Sequence, residues 1–246
     1  MGELDGKVAV ITGAGSGMAK ASVRVFIREG AKVVAADISG AEQTTADEVG
    51  GDVLPVHCDV TQEDEVEALM AAAIEAYGRV DAVLNVAGVA DGGPLTDLTM
   101  EFYDRLMDVD LRGVFLGMKH GIRAMLPTGG GSIVNWSSVG GLNGSAYTSV
   151  YAAAKHGIIG ASKSAAIEYG TQGVRVNVIC PGFILTEIMA VGAEDFIPDI
   201  AAKAALNRAG ESPEVAEVGA FLASDRASFV TGAVIPVDGG WSAKLA

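Results

Sequence analysis

Residues 7–19 read KVAVITGAGSGMA, and this stretch decides the fold because an apolar run passes directly into a glycine-rich turn. Residues 7–12 predict a buried strand, and the helical spacing over 16–29 predicts a helix that ends at Gly30. Glycines let the backbone turn tightly between the two, and the free N–H groups of the helix N-terminus can hold a pyrophosphate. A strand, a glycine turn and a helix in this order favour a dinucleotide-binding unit over an ordinary turn.

Outward from this unit, short apolar runs alternate with helical patterns along the rest of the chain. They predict strands at 32–36, 53–56, 82–85, 132–135, 174–179 and 233–237, and helices at 62–77, 101–125 and 149–169. This alternation is typical of an α/β protein whose parallel sheet is buried on both faces. We find no repeat, linker or low-complexity segment, so residues 1–246 are predicted to form a single doubly wound Rossmann domain.

The composition excludes several classes of function. The chain carries 17 Lys and Arg residues against 31 Asp and Glu, a formal charge of −14, which opposes binding to nucleic acid phosphates. No apolar run reaches the roughly 18 residues of a membrane helix, and the first residues lack a secretory signal pattern, so we expect a cytoplasmic protein. Cys58 and Cys180 lack CxxC spacing and the three histidines are scattered, so we expect no disulfide and no metal.

Asp37 stands at the predicted end of the second strand, 20 residues after Gly17. A carboxylate at this spacing in a dinucleotide-binding fold bonds the ribose 2′-hydroxyl, and its charge would repel the 2′-phosphate of NADP. Ser16, Ile38 and Ser39 supply no cation that would bind such a phosphate. The sequence therefore favours NAD as the cofactor, with a solvated aspartate that binds no ligand as the alternative.

Tyr151 and Lys155 lie four residues apart in the helix predicted over 149–169, so they share one face of it. A free tyrosine has a pKa of about 10, and a neighbouring cation favours the phenolate form. The pair can therefore deliver or remove a proton in carbonyl chemistry. Because this spacing is common in helices, its meaning depends on the other motifs.

Six motifs, in order and over the whole chain, resemble the short-chain dehydrogenase/reductase family. They are Thr12-Gly13…Gly17, Asn85-Val86-Ala87-Gly88, Ser137-Ser138, Tyr151 with Lys155, Pro181-Gly182 with Thr186, and Val230-Thr231-Gly232 through Val237-Asp238-Gly239-Gly240. The resemblance implies a seven-stranded parallel sheet in the order 3-2-1-4-5-6-7 with helices on both faces. It also implies a homotetramer that transfers hydride between NAD(H) and a secondary alcohol or ketone, as hydroxysteroid dehydrogenases do.

The same resemblance assigns roles to individual residues. It implies that Tyr151 is the general acid/base, that Ser138 holds the substrate oxygen beside Tyr151, and that Lys155 bonds the nicotinamide ribose. The other cofactor-binding residues that it implies are Gly13, Ser16, Gly17, Met18, Asp37, Asp59, Val60, Asn85, Ala87, Gly88, Pro181, Ile184 and Thr186.

Three positions depart from the family pattern. Ala19 replaces the last glycine of the turn, where alanine is tolerated, and Val86 replaces the second asparagine of the motif after the fourth strand. Asp110 stands where the family has a catalytic asparagine. An ionised aspartate only accepts hydrogen bonds, and its charge near Lys155 would oppose a Tyr151 phenolate. We therefore expect Asp110 to leave the enzyme active while moving alcohol oxidation to higher pH.

Two other functions are compatible with the same motifs. A non-catalytic NAD-binding sensor or scaffold would keep the fold; Asp110 mildly favours this reading, whereas Ser138, Tyr151 and Lys155 argue against it. An acyl-carrier-protein ketoreductase would favour NADP and carry basic residues for its acidic partner, and this acidic chain suits neither expectation.

The segment 187–212 is expected to form a lid over the substrate. Its apolar residues are Ile188, Met189, Phe196 and Ile197. Such a lid suits cyclic, terpenoid or steroid-like alcohols, although the same residues could serve packing alone. The sequence leaves the substrate open.

Overall fold

Seven parallel strands form the central sheet of the computed structural model, which describes residues 2–186, 199 and 201–243. The described strands are β1 (Val8–Thr12), β2 (Lys32–Asp37), β3 (Val53–His57), β4 (Ala82–Asn85), β5 (Gly131–Trp136), β6 (Val174–Pro181), β7 (Ile184–Leu185), β8 (Gly210–Glu211) and β9 (Val234–Val237). The central sheet has the order β3-β2-β1-β4-β5-β6-β9, while β7 and β8 form a separate two-stranded sheet. The predicted order is confirmed, with β9 as the seventh strand of the prediction.

Helices cover both faces of this sheet. They are α1 (Gly17–Arg28), α2 (Ala41–Val49), α3 (Glu63–Tyr77), α4 (Met100–Met107), α5 (Gly113–Met125), α6 (Ser149–Tyr169) and α7 (Ser212–Ala223). One hydrophobic core lies between the sheet and α1 with α7, and a second lies between the sheet and α3, α5 and α6. The strand order reverses between β1 and β4, and ligands of such sheets bind at the carboxyl ends of the strands beside this point.

Strand β1 shows why the opening apolar run predicts a buried strand. All five of its residues are buried. Ala9 and Ile11 pack in the core of α1 and α7, whereas Val8 and Val10 pack in the core of α3, α5 and α6. Side chains alternate between the faces of a strand, so a strand covered on both faces is apolar throughout.

The structure differs from the sequence patterns at three helices. Helix α2 was not predicted, because its sequence, AEQTTADEV, carries almost no apolar stripe; α7 was not predicted either, because it is apolar nearly all round. The helix predicted over 101–125 consists of α4, a π-helical turn at Asp108–Arg112 and α5. Such turns inside helices are rare and are frequent at functional sites, and this one carries Asp110.

The described residues contain neither a membrane-spanning helix nor a group of side chains placed to hold a metal ion. Each helix among them is too short or too polar to cross a lipid bilayer. Within residues 2–186, 199 and 201–243, no group of three or more His, Cys, Asp or Glu side chains is placed to hold a metal ion. Cys58 and Cys180 are both buried and are not joined by a disulfide.

Candidate active site

The glycine-rich turn between β1 and α1 lies at the carboxyl edge of the sheet. Gly13 and Gly17 have φ angles of +75° and +54°, a left-handed conformation that favours glycine. A Cβ atom on Gly13 would lie 2.9 Å from the Cα atom of Ala87. The turn therefore needs glycine for its shape and for its close approach to the loop after β4.

Thr12 ties this turn to the loop after β4. Its buried hydroxyl oxygen accepts hydrogen bonds from the backbone N–H groups of Val86, at 3.1 Å, and Ala87, at 3.2 Å. Without Thr12 these two donors would lose their partner inside the protein. No role for this hydroxyl was predicted, because a strand sequence does not reveal which neighbouring loop a terminal hydroxyl will meet.

Asp37 lies at the end of β2, where its carboxylate is held by three donors. Oδ2 accepts a hydrogen bond from the backbone N–H of Gly15 at 2.9 Å. Oδ1 accepts one from the backbone N–H of Ser39, at 2.9 Å, and one from its hydroxyl, at 2.7 Å. These bonds fix a negative charge at the edge of the sheet, at the position predicted to meet the ribose.

A cleft of about 350 Å³ extends along this edge from Asp37 to Thr186. The predicted residues that line it are Gly13, Ser16, Gly17, Met18, Asp37, Asp59, Val60, Ala87, Gly88 and Thr186. Residues that were not predicted also line it: Ala19, Ile38, Cys58, Val86, Val89 and Val109. The additional residues are apolar apart from the Cys58 thiol, and in the sequence such residues look the same as core residues.

Asp59 and Val60 form one wall of this cleft just after β3. Asp59 Oδ1 accepts hydrogen bonds from the backbone N–H and the hydroxyl of Thr61, at 2.9 and 2.8 Å. The backbone N–H of Asp59 donates to Glu65 on α3 at 2.8 Å. A Cβ atom on Gly113 would lie 2.8 Å from Val60 Cγ2, so α5 packs closely here. This wall is therefore anchored to two helices.

Cys58 lines the cleft but carries an unreactive thiol. Burial, with the negative charges of Glu65 and Asp59, raises the pKa of Cys58 to about 12. A thiol with such a pKa is almost fully protonated at neutral pH, and the thiolate is the nucleophilic form. Cys58 therefore contributes shape rather than chemistry.

Asn85 ends β4 and lies in a buried chain of polar groups. Its Nδ2 donates to Asn135 Oδ1 at 2.7 Å, and Asn135 Nδ2 donates to Ser162 Oγ at 2.8 Å. A Cβ atom on Gly117 would lie 1.9 Å from Asn85 Oδ1, so α5 can approach only through a glycine. The chain of bonds links β4, β5 and α6, and the contact of Asn85 with a cofactor stays a prediction.

Ser138, Tyr151 and Lys155 meet where β5 ends and α6 begins. Ser137 Oγ donates to the backbone carbonyl of Lys155 at 2.8 Å, which fastens α6 to the end of β5. A Cβ atom on Gly140 would lie 3.5 Å from Ser138 Oγ and 3.1 Å from Tyr151 Cε1, so Gly140 allows the two side chains to lie close together. Lys155 Nζ lies 5.4 Å from the centroid of the Tyr151 ring. The structure thus brings the three predicted side chains together.

Asp110 joins this group from the π-helical turn between α4 and α5. It is completely buried; its Oδ1 accepts a hydrogen bond from the backbone N–H of Val89 at 2.7 Å, and its Oδ2 lies 3.4 Å from Lys155 Nζ. A Cβ atom on Gly88 would lie 3.0 Å from Asp110 Oδ1 and 3.2 Å from Lys155 Nζ, so the pair leaves little room for a side chain there. Burial raises the pKa of Asp110 above its ordinary value, while Lys155 and the Val89 hydrogen bond oppose that shift.

The segment from the end of β6 to the residue after β7 carries three predicted residues, Pro181, Ile184 and Thr186. Pro181 ends β6, and Ile184 is buried in β7. Thr186 reaches the glycine turn, because a Cβ atom on Gly17 would lie 3.4 Å from Thr186 Cγ2. Of these three predicted residues, Thr186 is the one that lines the cleft.

The predicted lid, 187–212, is described only in part. Its residues 187–198 and 200 lie outside the described residues, and these include Ile188, Met189, Phe196 and Ile197. In the described part, Gly210 pairs with Ile184 through β8, and α7 begins at Ser212. The role of the lid stays a prediction.

Comparisons with known proteins match nearly the whole chain. Residues 13–242 match the model of a family described as enoyl-(acyl carrier protein) reductase. A cis-4-hydroxycyclohexanecarboxylate dehydrogenase of Sinomonas cyclohexanicum is 42% identical over 96% of this chain and 97% of its own. A 3-alpha-(or 20-beta)-hydroxysteroid dehydrogenase of Mycobacterium bovis is 40% identical over 100% of this chain and 93% of its own. The crystal structure of levodione reductase matches with a TM-score of 0.94 and 36% identity, covering 98% of this chain and 100% of that one.

Proposed function

The chain belongs to the short-chain dehydrogenase/reductase family, and from this premise we propose that it transfers hydride between NAD(H) and a secondary alcohol carried on a ring, or the corresponding ketone. The protein is an oxidoreductase. The observation that carries the proposal is the convergence of Ser138, Tyr151 and Lys155, with Lys155 Nζ next to Gly88 in the cleft wall. A binding protein without catalysis has no need of a serine, a tyrosine and a lysine at one point.

The residues that line the cleft support the binding of a nicotinamide dinucleotide. Gly13 and Gly17 would hold the pyrophosphate against the start of α1, because their backbone has the shape that such a contact needs. Asp37 would bond the adenosine ribose, and Lys155 the nicotinamide ribose. When bound, the cofactor would supply the hydride donor or acceptor.

The charge at Asp37 supports NAD over NADP. A 2′-phosphate would meet a carboxylate that three uncharged donors already hold in place. The basic residues of the neighbouring helix α1, Lys20 and Arg24, both pair with Glu48 at 2.9 Å. They would have to leave that partner to bind a phosphate.

The proton chemistry follows from the side chains at the end of β5. In ketone reduction the Tyr151 hydroxyl would give its proton to the carbonyl oxygen, and in alcohol oxidation the phenolate would take it back. The ammonium of Lys155 would stabilise that phenolate. Ser138 Oγ accepts a hydrogen bond from the backbone N–H of Gly140 at 3.0 Å, which leaves its own proton to donate to the substrate oxygen.

A ring-bearing substrate is supported by the apolar surroundings of Tyr151. Beside it lies a small cluster whose buried members are Leu106, Val150 and Ala154, and whose partly buried members include Val89, Leu98, Phe102, Met107 and Leu111. Burial of an apolar ring against such side chains is favourable. Two of the relatives are named for a cyclohexane ring and for steroids.

We also propose that the protein is a homotetramer built through α5, α6 and the C-terminal strand. Phe115 on α5 is 55% exposed, Ile167 on α6 is 84% exposed, and Phe229 before β9 is fully exposed. These exposed side chains lie on or next to the elements that the family resemblance assigns to the subunit interfaces, which supports the proposal. Light scattering should return four times the chain mass of 25.0 kDa, and the mass of one chain would contradict this proposal.

The proposed function is tested by NAD and NADP reduction with a panel of cyclic and acyclic secondary alcohols. We expect oxidation with NAD, faster for the cyclic members, and poor activity with NADP. The matched variants are Ser138→Ala, which removes the proposed bond to the substrate oxygen, and Ser145→Ala, which removes an exposed hydroxyl from the loop before α6. A protein that binds NADH but oxidises no alcohol would be a sensor or scaffold, and the proposal would be wrong.

A further inference from the structure

Asp110 is a buried carboxylate that the proton chemistry above does not use. Its side chain is 0% exposed, and the side chain of Lys155 that faces it is 6% exposed. Oδ2 lies 3.4 Å from Lys155 Nζ, and it has no closer hydrogen-bond partner among the described residues. Charges removed from water remain ionised only when they are paired, so each of these groups depends on the other.

The single positive charge of Lys155 therefore lies near two acidic groups, the Asp110 carboxyl and the Tyr151 hydroxyl group. Asp110 lies on one side of it, and the ring of Tyr151 lies 5.4 Å away along α6. A phenolate on Tyr151 would share the ammonium with the carboxylate of Asp110. We propose that Asp110 is a positioning residue that competes with the Tyr151 phenolate for Lys155 and so moves alcohol oxidation to higher pH, an inference that rests on the proposed function.

The direction of the effect follows from the charges. Alcohol oxidation needs Tyr151 as a base, so activity rises with pH as the phenolate forms. A second negative charge beside Lys155 opposes the phenolate and delays that rise. Removing the charge from Asp110 should bring the rise to lower pH.

Other charged groups on the neighbouring elements lie at the surface. Those on the loop after β4, on α4, on the π-helical turn and on the first part of α6 are Asp91, Asp97, Glu101, Asp104, Arg105, Asp108, Arg112 and His156. Asp91 pairs with Arg105 at 2.7 Å and Asp108 with Arg112 at 3.6 Å, and His156 Nδ1 lies 2.8 Å from a carbonyl of its own helix. Solvent screens charges at such positions far more than buried ones. Among the described residues, Asp110 is thus the buried carboxylate that pairs with Lys155.

Asp110 has a second contact that the test must preserve. Its Oδ1 accepts the hydrogen bond from Val89 and so holds the loop after β4 in place. In Asp110→Asn the amide oxygen can still accept this bond, while the charge is removed. The substitution therefore separates the effect of the charge from the effect of the anchor.

The first measurement is the pH dependence of kcat/KM for alcohol oxidation. In Asp110→Asn, half-maximal activity should be reached roughly 1 pH unit lower than in the wild type. Asp108→Asn is the matched control, because it makes the same change in the same turn at a side chain that is 47% exposed. Its pH profile should not move. An unmoved profile in Asp110→Asn with turnover retained overturns the inference.

The second measurement needs neither substrate nor cofactor. The tyrosinate absorbance of the protein is titrated with pH, and the same titration of Tyr151→Phe is subtracted to leave the ionisation of Tyr151. The midpoint should fall in Asp110→Asn and stay in place in Asp108→Asn. An unchanged midpoint in Asp110→Asn overturns the inference, and a lower one supports it even if that variant is inactive.

The two measurements also separate the inference from the proposed function. If the wild type oxidises no alcohol with NAD, the proposed function is wrong, and the absorbance titration still decides the role of Asp110. Should Asp110→Asn fail to fold, Asp110→Ser replaces it in both measurements, because its hydroxyl oxygen is uncharged and can accept a hydrogen bond.

Discussion

The proposed site has two ends, the ribose end at Asp37 and the catalytic end at Tyr151. Each end carries an aspartate, and the two aspartates differ in burial and in the charge beside them. Asp37 lies partly exposed at the ribose end, where three uncharged donors hold it. Asp110 is completely buried at the catalytic end, where it has one backbone donor and one ammonium. The charge of Asp37 is therefore free to act on a ligand directly, whereas that of Asp110 acts only through Lys155.

The backbone shows the same contrast. At the ribose end, the left-handed positions of the turn are Gly13 and Gly17, which adopt them without strain. At the catalytic end, Tyr147 has a φ angle of +67°, which is strained for an aromatic residue. Glycines thus occupy the left-handed positions at the ribose end, whereas a tyrosine occupies one at the catalytic end. Such strain is commonly found at functional sites.

The largest effect on activity is expected for Tyr151→Phe, at the catalytic end. The change keeps the ring and removes the proton donor, so kcat should fall roughly 100-fold or more. The affinity for NADH, measured by fluorescence titration, should stay close to that of the wild type, because the ribose end is untouched. Near-normal turnover would show that Tyr151 is not the acid/base, and a large loss of NADH affinity would show that the two ends are not independent.

A smaller effect is expected at the other end for Asp37→Ala. Loss of the carboxylate should reduce the preference for NAD over NADP by at least about tenfold, or about 1.4 kcal/mol. The pH profile of oxidation should not move, because Asp37 does not touch Lys155 or Tyr151. Dissociation constants for both cofactors check the first expectation. A wild type that binds NADPH as tightly as NADH would remove the assigned role of Asp37.

How much could be predicted from sequence also differs between the two ends. At the ribose end, the order of strand, glycine turn and helix predicts the contacts, because a local backbone shape makes most of them. Even there, the bonds from Val86 and Ala87 to Thr12 join segments some 70 residues apart, and no local pattern indicates them.

At the catalytic end, the motifs predict that Ser138, Tyr151 and Lys155 come together, and the structure places them so. They do not predict the bond from Val89 to Asp110 or the π-helical turn that carries Asp110. The turn is continuous with α4 before it and α5 after it, so residues 101–125 look like one continuous helix in the sequence. The side-chain environment there depends on packing between distant segments, which a single sequence does not contain.

The smallest effect tests the strain at Tyr147 and so the contrast between the two backbones. The backbone carbonyl of Tyr147 accepts a hydrogen bond from Gly93 at 2.8 Å, which holds the residue in its left-handed conformation, and its side chain is 67% exposed. Tyr147→Gly and Tyr147→Ala both remove the ring, and only the alanine keeps a Cβ in the strained position. The glycine variant should therefore be the more stable by about 1 kcal/mol, or about 2–4 °C in Tm. Tyr103 on α4 is the matched control, because it is an exposed tyrosine in ordinary helical backbone. There the order should reverse, with alanine more stable than glycine by about 1 kcal/mol. If alanine is the more stable residue at both positions, Tyr147 is not strained, and the two ends of the site do not differ in how their backbones are built.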